Sequence, residues 1–173
     1  MLAAASASGK VLPPLIIFSG KQVQTTWRPQ VNTGTEHTWI FANASGWMTT
    51  DTFFKWFVEW KTSTRSTLED GTIEPRIMIY DGHLSHVGYG MIIHARNHNV
   101  TILKLPPHTT DLLQPLDVSV FGLLKVKWGA ALFKQLSKSR SALSKSEFST
   151  LLVSDDVWKS SCTEETVQNG FKR

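Results

Sequence analysis

Hydrophobic and polar positions change their spacing several times along the chain, and each spacing predicts a different element. Short apolar runs bounded by Gly, Pro and Asn predict strands, and apolar residues that recur every three or four positions predict helices. Strands are expected at residues 2–8, 11–18, 38–42, 76–80 and 100–105. Helices are expected at residues 50–64, 87–97 and 144–153, from residue 114 onward, and from 163 to 170. The order β-β-α-β-α-β-α-α predicts an α/β domain with a mixed sheet flanked by helices.

Turn and capping residues mark where these elements meet. Gly9 predicts a tight turn, so the first two strands are expected to form a hairpin. Pro13 and Pro14 lack the amide hydrogen that a strand ladder needs, which predicts a sheet edge or a strand entry there. Ser144 and Glu147 have the spacing of a capping box and predict a helix start.

Composition and charge narrow the class of protein. The 173 residues suffice for about one domain with a buried core. The formal net charge of +4, from 18 Lys+Arg against 14 Asp+Glu, is compatible with a polyanionic partner. Cys162 is the one cysteine, which excludes an intramolecular disulfide and a Cys-rich zinc module and indicates an intracellular compartment. The Ala-x-Ala spacing after Met1 lacks the flanking regions of a signal peptide, and no apolar run approaches the length of a membrane span.

Two carboxylates follow apolar strands. The run Ile77–Tyr80 ends at Asp81, and a strand of this kind delivers its carboxylate to the carboxyl edge of a sheet, where ligands bind in open α/β folds. Asp117 follows the next apolar strand and Pro115, a residue suited to a first helical turn. The intervening length accommodates one helix and one strand, which would bring both carboxylates to one face. Such oxygen ligands suit Mg²⁺, and a pair of these ions can stabilise the attacking and leaving oxygens at phosphorus.

Each acidic residue also has a structural interpretation. Asp81 can cap a turn with Gly82, and Asp117 can stabilise a helix through the helix dipole. Thr49-Thr50-Asp51 offers a cap at a helix start, so capping is favoured for Asp51 over a role as a substitute catalytic acid. Asp111 follows the same Pro-Pro-His-Thr-Thr turn as Asp117 and competes with it for the metal-binding role.

Nucleophile and zinc chemistry find less support. His83 and His86 have the spacing of a metal pair, but no Cys or further His lies nearby in the sequence, so a zinc site is not predicted. Ser85 lacks the Gly-x-Ser-x-Gly elbow of a hydrolase, so a catalytic triad is not predicted.

Four blocks, in order, resemble the DDE-type endonucleases of the pogo-, Tigger- and jerky-like transposases. They are Ala7-Ser-Gly-Lys-Val-Leu-Pro-Pro-Leu-Ile-Ile-Phe18, Gly46-Trp-Met-Thr-x-x-x-Phe-x-x-Trp56, Asp81-Gly-His-x-Ser-His86, and Leu105-Pro-Pro-His-Thr-Thr-x-x-Leu-Gln-Pro-Leu-Asp117-Val-x-Val-Phe121. The resemblance covers nearly the whole chain, and the last block is the most specific. It implies an RNase H-like mixed sheet flanked by helices, with residues 1–136 as the endonuclease core and residues 137–173 as a helical extension of the same domain.

The resemblance also implies an activity and a set of site residues. The activity is Mg²⁺- or Mn²⁺-dependent cleavage and joining of DNA strands, in the nucleus, by a protein that self-associates as other transposases do and has no membrane partner. Asp81 corresponds to the second catalytic acid and Asp117 to the third, both as metal ligands. His83 would orient the site or contact phosphate; its alternative is a turn histidine bonded to the backbone.

The family pattern places the first catalytic acid in an Asp-Glu-(Ser/Thr)-Gly block upstream of the hairpin. We therefore expect the first strand of the fold to be missing from this sequence and its activity alone to be impaired. A non-catalytic module that binds DNA or another partner, and a fragment with no function of its own, are the alternatives.

Cations cluster in the second half of the chain. Lys104, His108, Lys125 and Lys127 could contact DNA phosphates without reading sequence, and a solvated basic face is the alternative. Trp128 lies beside Lys125 and Lys127 and is the tryptophan that we consider for contact with bases, while the others are expected in the core.

Overall fold

The computed structural model describes residues 1–29, 38–81, 88–139 and 141–172, without the side chain of Asp111. These residues belong to two compact units. The discontinuous unit comprises Met1–Trp47 and Pro115–Arg173, and the inserted unit comprises Met48–Gln114. The inserted unit is therefore one continuous piece of chain, while the other is built from two pieces.

The helices and strands lie close to their predicted positions. The strands are β1 (Leu15–Ser19), β2 (Trp39–Asn43), β3 (Arg76–Tyr80) and β4 (Val100–Lys104). The helices are α1 (Thr50–Ser63), α2 (Tyr89–Arg96), α3 (Thr110–Leu113), α4 (Pro115–Ser139), α5 (Lys145–Leu152) and α6 (Glu164–Phe171). A 3-10 turn at Thr25–Trp27, a π-helical turn at Asp155–Lys159 and the short α3 were not predicted. The mixed α/β class is confirmed.

The predicted hairpin opens the discontinuous unit, but only as isolated antiparallel bridges. These bridges join Ala5 to Val11 and Leu2 to Leu15, so the pairing slips by one residue between them. The slip falls at Pro13 and Pro14, which cannot donate to a ladder and are tolerated at such bulges. The prediction of a continuous strand at residues 2–8 was therefore wrong, and regular strand pairing begins with β1.

Strand pairing differs from the mixed sheet that was expected. In the described part of the chain, β1 pairs with β2 and β3 pairs with β4, both in parallel, as two separate two-stranded sheets. The first pair belongs to the discontinuous unit and the second to the inserted unit. Among the described residues, antiparallel pairing occurs as isolated bridges.

The core of the discontinuous unit joins β1 to the C-terminal helices. Its buried members include Ile16, Leu124, Leu152, Val157 and Trp158. Hydrogen bonds also tie the first piece of chain to the second, among them those from Ser149 Oγ to Trp27 O (2.6 Å), from Lys145 Nζ to Ser19 O (2.6 Å) and from Gln168 Nε2 to Ser8 O (3.0 Å). Residues distant in sequence thus complete one another's packing.

The capping box at the start of α5 is confirmed. The Ser144 hydroxyl accepts from the Glu147 amide at 3.2 Å, and the Glu147 carboxylate accepts from the Ser144 amide at 2.8 Å. The Ser144 hydroxyl also donates to Glu147 Oε2 at 2.7 Å, and this bond, followed by the one from the Ser144 amide, lowers the pKa of Glu147. Two amide hydrogens that the first helical turn leaves unpaired are satisfied in this way.

We expect Ser144→Ala to destabilise the discontinuous unit by about 1 kcal/mol, because one N-terminal amide of α5 loses its acceptor. Urea-induced unfolding measures the change. Ser137→Ala is the matched control, since its exposed hydroxyl donates to the Phe133 carbonyl within α4, and we expect an effect within about 0.5 kcal/mol. Equal unfolding free energies for the two variants would contradict the role of the cap.

The inserted unit packs α1 and α2 on one face of the β3–β4 pair. Helix α1 buries Thr52, Phe53, Trp56, Phe57 and Trp60. Its N-cap is Thr49, whose hydroxyl accepts from the Thr52 amide at 3.2 Å. Of the three residues expected to offer the cap, Thr49 is therefore the one that does; Asp51 lies in the first turn, where its charge suits the helix dipole.

A basic cluster joins α1 to α2 within this unit. Lys61 Nζ lies 3.1 Å from His94 Nε2, and the His94 ring stacks on His98 with centroids 4.3 Å apart. The edge of His94 also meets Phe54 and Phe57. Burial, Lys61 and His98 lower the pKa of His94, in that order of importance.

We expect the unfolding free energy to fall as the pH drops from about 7.5 to about 5. The folded state holds the pKa of His94 below the unfolded value near 6.5, so the unfolded chain takes up the proton first. The stabilisation that neutral His94 allows is therefore complete above about pH 6.5, the unfolded pKa, and is lost as the pH falls through the lower pKa of the folded state. Urea unfolding over a pH series measures the unfolding free energy. His94→Gln and Lys61→Met should both reduce the slope of that free energy against pH. An unchanged slope in both would contradict this cause.

Candidate active site

Asp81 lies where the sequence predicted, directly after β3 at the carboxyl end of the parallel β3–β4 pair. The last paired residues are Tyr80 and Lys104, and the Leu105 amide donates to Tyr80 O at 2.9 Å just beyond them. Asp81 is half-buried. Burial raises the pKa of the Tyr80 hydroxyl, and the negative charge of Asp81 raises it further. The strand pair thus fixes the backbone that carries this carboxylate.

The segment after β4 turns sharply at the same edge of the sheet. His108 has a φ of 59°, a left-handed conformation that few residues other than glycine adopt. Thr109 holds the turn, because its hydroxyl donates to Pro106 O at 2.9 Å and its carbonyl accepts from Leu113 at 2.8 Å. Lys104 and His108 are both exposed. The edge that carries Asp81 therefore also presents two basic side chains to solvent.

Asp117 lies in the first turn of α4, as predicted, and its side chain is exposed. The turn is supported from inside the discontinuous unit. Ser119 Oγ donates to Pro115 O at 2.9 Å, and α6 approaches so closely that a Cβ on Gly170 would overlap Pro115 O. The backbone that carries Asp117 is thus held by contact with α6.

The two carboxylates belong to different units, and each is placed within its own. His83, His86 and Ser85 lie outside the described residues, as does the side chain of Asp111. Within the described ranges, no group of three or more His, Cys, Asp or Glu side chains could hold a metal ion. The metal-binding roles of Asp81 and Asp117 remain predictions.

The predicted basic contacts have different surroundings. Lys125 is exposed on α4, whereas Lys127 Nζ donates to Ser160 O at 2.7 Å and so stabilises the packing of α4 in its unit. Trp128 packs against the core with its ring 4.9 Å from that of Phe148, in a T-shaped arrangement. Packing therefore accounts for Trp128 without a contact to bases.

The thiol of Cys162 has no nucleophilic character in this setting. Burial raises its pKa to about 12, and the nearby charge of Lys127 lowers it only in part. The thiolate is the reactive form of cysteine, so Cys162 stays protonated and inert near neutral pH.

The exposure of Trp47 was not predicted. Trp47 was expected in the core with most other tryptophans, yet 78% of its surface is exposed. The sequence Asn43-Ala-Ser-Gly46 before it is typical of a turn, and that signal could have indicated an exposed position.

The chain was compared with known proteins. The model of the DDE superfamily endonuclease family matches residues 1–171. A protein of Cochliobolus lunatus described as "MFS-type transporter clz9" is 29% identical over 123 residues. That match covers 69% of this chain and 12% of the relative, so the chain spans about an eighth of the curated protein it matches. No solved structure matches significantly, and no helix in the described ranges is long and apolar enough to cross a membrane. Because the family model matches almost every residue, the chain belongs to the DDE superfamily of endonucleases.

Proposed function

We propose that the protein is a DNA-cleaving and DNA-joining endonuclease of the transposase type, acting in the nucleus, with an RNase H-like core. The observation that carries the proposal is the place of Asp81 at the carboxyl end of the parallel β3–β4 pair, in a chain that matches the family from residue 1 to 171. Ligands bind at that edge of open α/β sheets. Self-association and the division of the domain at residues 136 and 137 remain part of the proposal.

Asp81 and Asp117 are the residues that would hold a divalent cation. Their carboxylate oxygens are the donors that Mg²⁺ and Mn²⁺ prefer, and Mg²⁺ in particular takes only one or two such groups from a protein and completes its shell with water and phosphate. A pair of divalent cations would stabilise negative charge on the attacking and leaving oxygens of the phosphodiester.

The protein side chains would contribute position and charge. The β3–β4 ladder fixes Asp81, and the contact between α6 and the first turn of α4 fixes Asp117. Lys104 is exposed at the same edge as Asp81 and can attract the phosphate backbone. Exposed Lys125 could do so from α4, whereas Lys127 would first have to give up its bond to Ser160.

The test is nicking of a supercoiled plasmid by the purified chain with Mg²⁺ or Mn²⁺, and with EDTA as the negative control. Nicked circles that depend on the metal would support the proposal. DNA binding that is equal with and without EDTA, with no nicking, would instead support a non-catalytic DNA-binding module. The exposed cations Lys104 and Lys125, which need no metal, are the observation that favours this second function.

A further inference from the structure

Trp47 stands on a rigid turn that displays its ring to solvent. The turn follows β2 and is held by its own polar groups. Asn43 Nδ2 donates to Trp47 O at 2.7 Å, Asn43 Oδ1 accepts from the Gly46 amide at 2.7 Å, and Ser45 Oγ accepts from the Trp47 amide at 3.2 Å. None of these bonds involves the indole. The conformation of the turn is therefore fixed by groups other than the indole.

The same turn is pressed against the end of β1. Gly46 has a φ of 72°, and a Cβ there would lie 3.0 Å from the Ser19 amide nitrogen. The Gly20 amide donates to Asn43 O at 2.9 Å. Because β1 and β2 are parallel, these contacts place the turn at the carboxyl edge of their sheet, with Ser19 and Gly20 beside it. Ligands bind at such edges in open α/β sheets.

An exposed indole at this position gives up the stabilisation that burial of so large a ring provides. Its surroundings favour an anionic partner. Lys21 directly follows Gly20 and is exposed, and Lys145 Nζ donates to Ser19 O at 2.6 Å. In the described part of residues 1–47, the other exposed large apolar side chains are Met1 and Val23. They are 52% and 38% exposed, which is less than the exposed fraction of Trp47.

We propose that Trp47 is a stacking platform for an unpaired base of single-stranded DNA, an inference that rests on the proposed action on DNA. A flat aromatic ring on a fixed backbone stacks on any base whose own neighbours have been removed, and the nearby cations follow the phosphates. A duplex keeps its bases stacked on one another and does not offer that face. The indole therefore adds affinity for single strands and for frayed or extruded bases, not for intact duplex.

The experiment uses the whole chain in EDTA, so that binding does not depend on the metal site. The probe is an oligothymidylate of about 15 nucleotides with one central 2-aminopurine, whose fluorescence reports stacking. A duplex of equal length is the second probe. The variants are Trp47→Ala, Trp47→Phe and Phe133→Ala, the last being a matched control because Phe133 is 76% exposed in the same unit.

We expect Trp47→Ala to weaken single-strand binding by about tenfold or more and to abolish the fluorescence change. Trp47→Phe should retain part of the single-strand affinity and part of the fluorescence change. Phe133→Ala should bind single strands as the parent chain does, and duplex binding should be the same in all variants. Unchanged single-strand affinity in Trp47→Ala, with wild-type binding intact, would overturn the inference and assign the indole to a protein contact. Absence of all DNA binding by the wild type would instead overturn the proposed function and this inference together. Unchanged thermal unfolding of Trp47→Ala excludes misfolding as the cause.

Discussion

Replacing Asp81 with Asn is expected to reduce metal-dependent plasmid nicking by about 10³-fold. The amide has nearly the same size as the carboxylate but carries no negative charge, so it holds a divalent cation poorly. The half-buried position after β3 should accept this change without loss of folding. The rate of conversion from supercoiled to nicked circles, measured over a range of Mn²⁺ concentrations, tests it.

Asp117→Asn should cause a loss of similar size, and Asp51→Asn should leave nicking intact. Asp51 is the matched control because it is also an exposed carboxylate in the first turn of a helix. If Asp81→Asn nicks as fast as the parent chain, Asp81 does not belong to the active site. If Asp51→Asn loses nicking as well, the loss reflects general electrostatics and not metal binding.

Gly170→Ala is expected to destabilise the protein by about 3 kcal/mol. The added methyl group would overlap Pro115 O and would lie 2.5 Å from Ser119 Oγ, so α6 and the first turn of α4 must separate. Backbone atoms cannot relieve such a contact by a change of rotamer. Urea-induced unfolding measures the free energy, and the same variant should also lower nicking, because Asp117 lies in the displaced turn.

Gly129→Ala is the control for this variant. Gly129 also lies within a helix, but nothing is found within 4 Å of an added Cβ. The substitution should stabilise α4 by roughly 0.5–1 kcal/mol, since alanine loses less conformational freedom on folding than glycine. Opposite signs for the two variants would identify the contact with Pro115 as the cause. Two stabilising results would show that α6 tolerates a wider separation from α4.

Features that depend on neighbours in sequence could be predicted from the sequence. The capping box of Ser144 and Glu147 sits within one helical turn, and the change from Tyr80 to Asp81-Gly82 marks a strand end through local chemistry alone. Which strands pair with one another depends on distant parts of the chain. For that reason the prediction of a single mixed sheet differs from the two strand pairs of the described residues. Burial depends on distant parts of the chain as well. An apolar strand predicts burial on both faces, yet Ile77 and Ile79 of β3 are 64% and 47% exposed.

The candidate site was predictable to the same degree. The spacing of apolar residues and the positions of Gly and Pro placed Asp81 after a strand and Asp117 at a helix start. The family resemblance assigned both residues a role as metal ligands. Side-chain surroundings could not be predicted in this way. The bond of Lys127 to Ser160, the packing of Trp128 on Phe148 and the exposure of Trp47 all arise from tertiary contacts that no local pattern encodes.

The discontinuity of the larger unit has a consequence for synthesis of the chain on the ribosome. Residues 1–47 are made first, but the groups that cover them, including Ser149 and Gln168, come more than a hundred residues later. At about 5–20 residues per second, that delay is on the order of ten seconds. The inserted unit can complete its own contacts meanwhile. The apolar run Val11–Phe18 is thus the segment that most needs chaperone protection during translation.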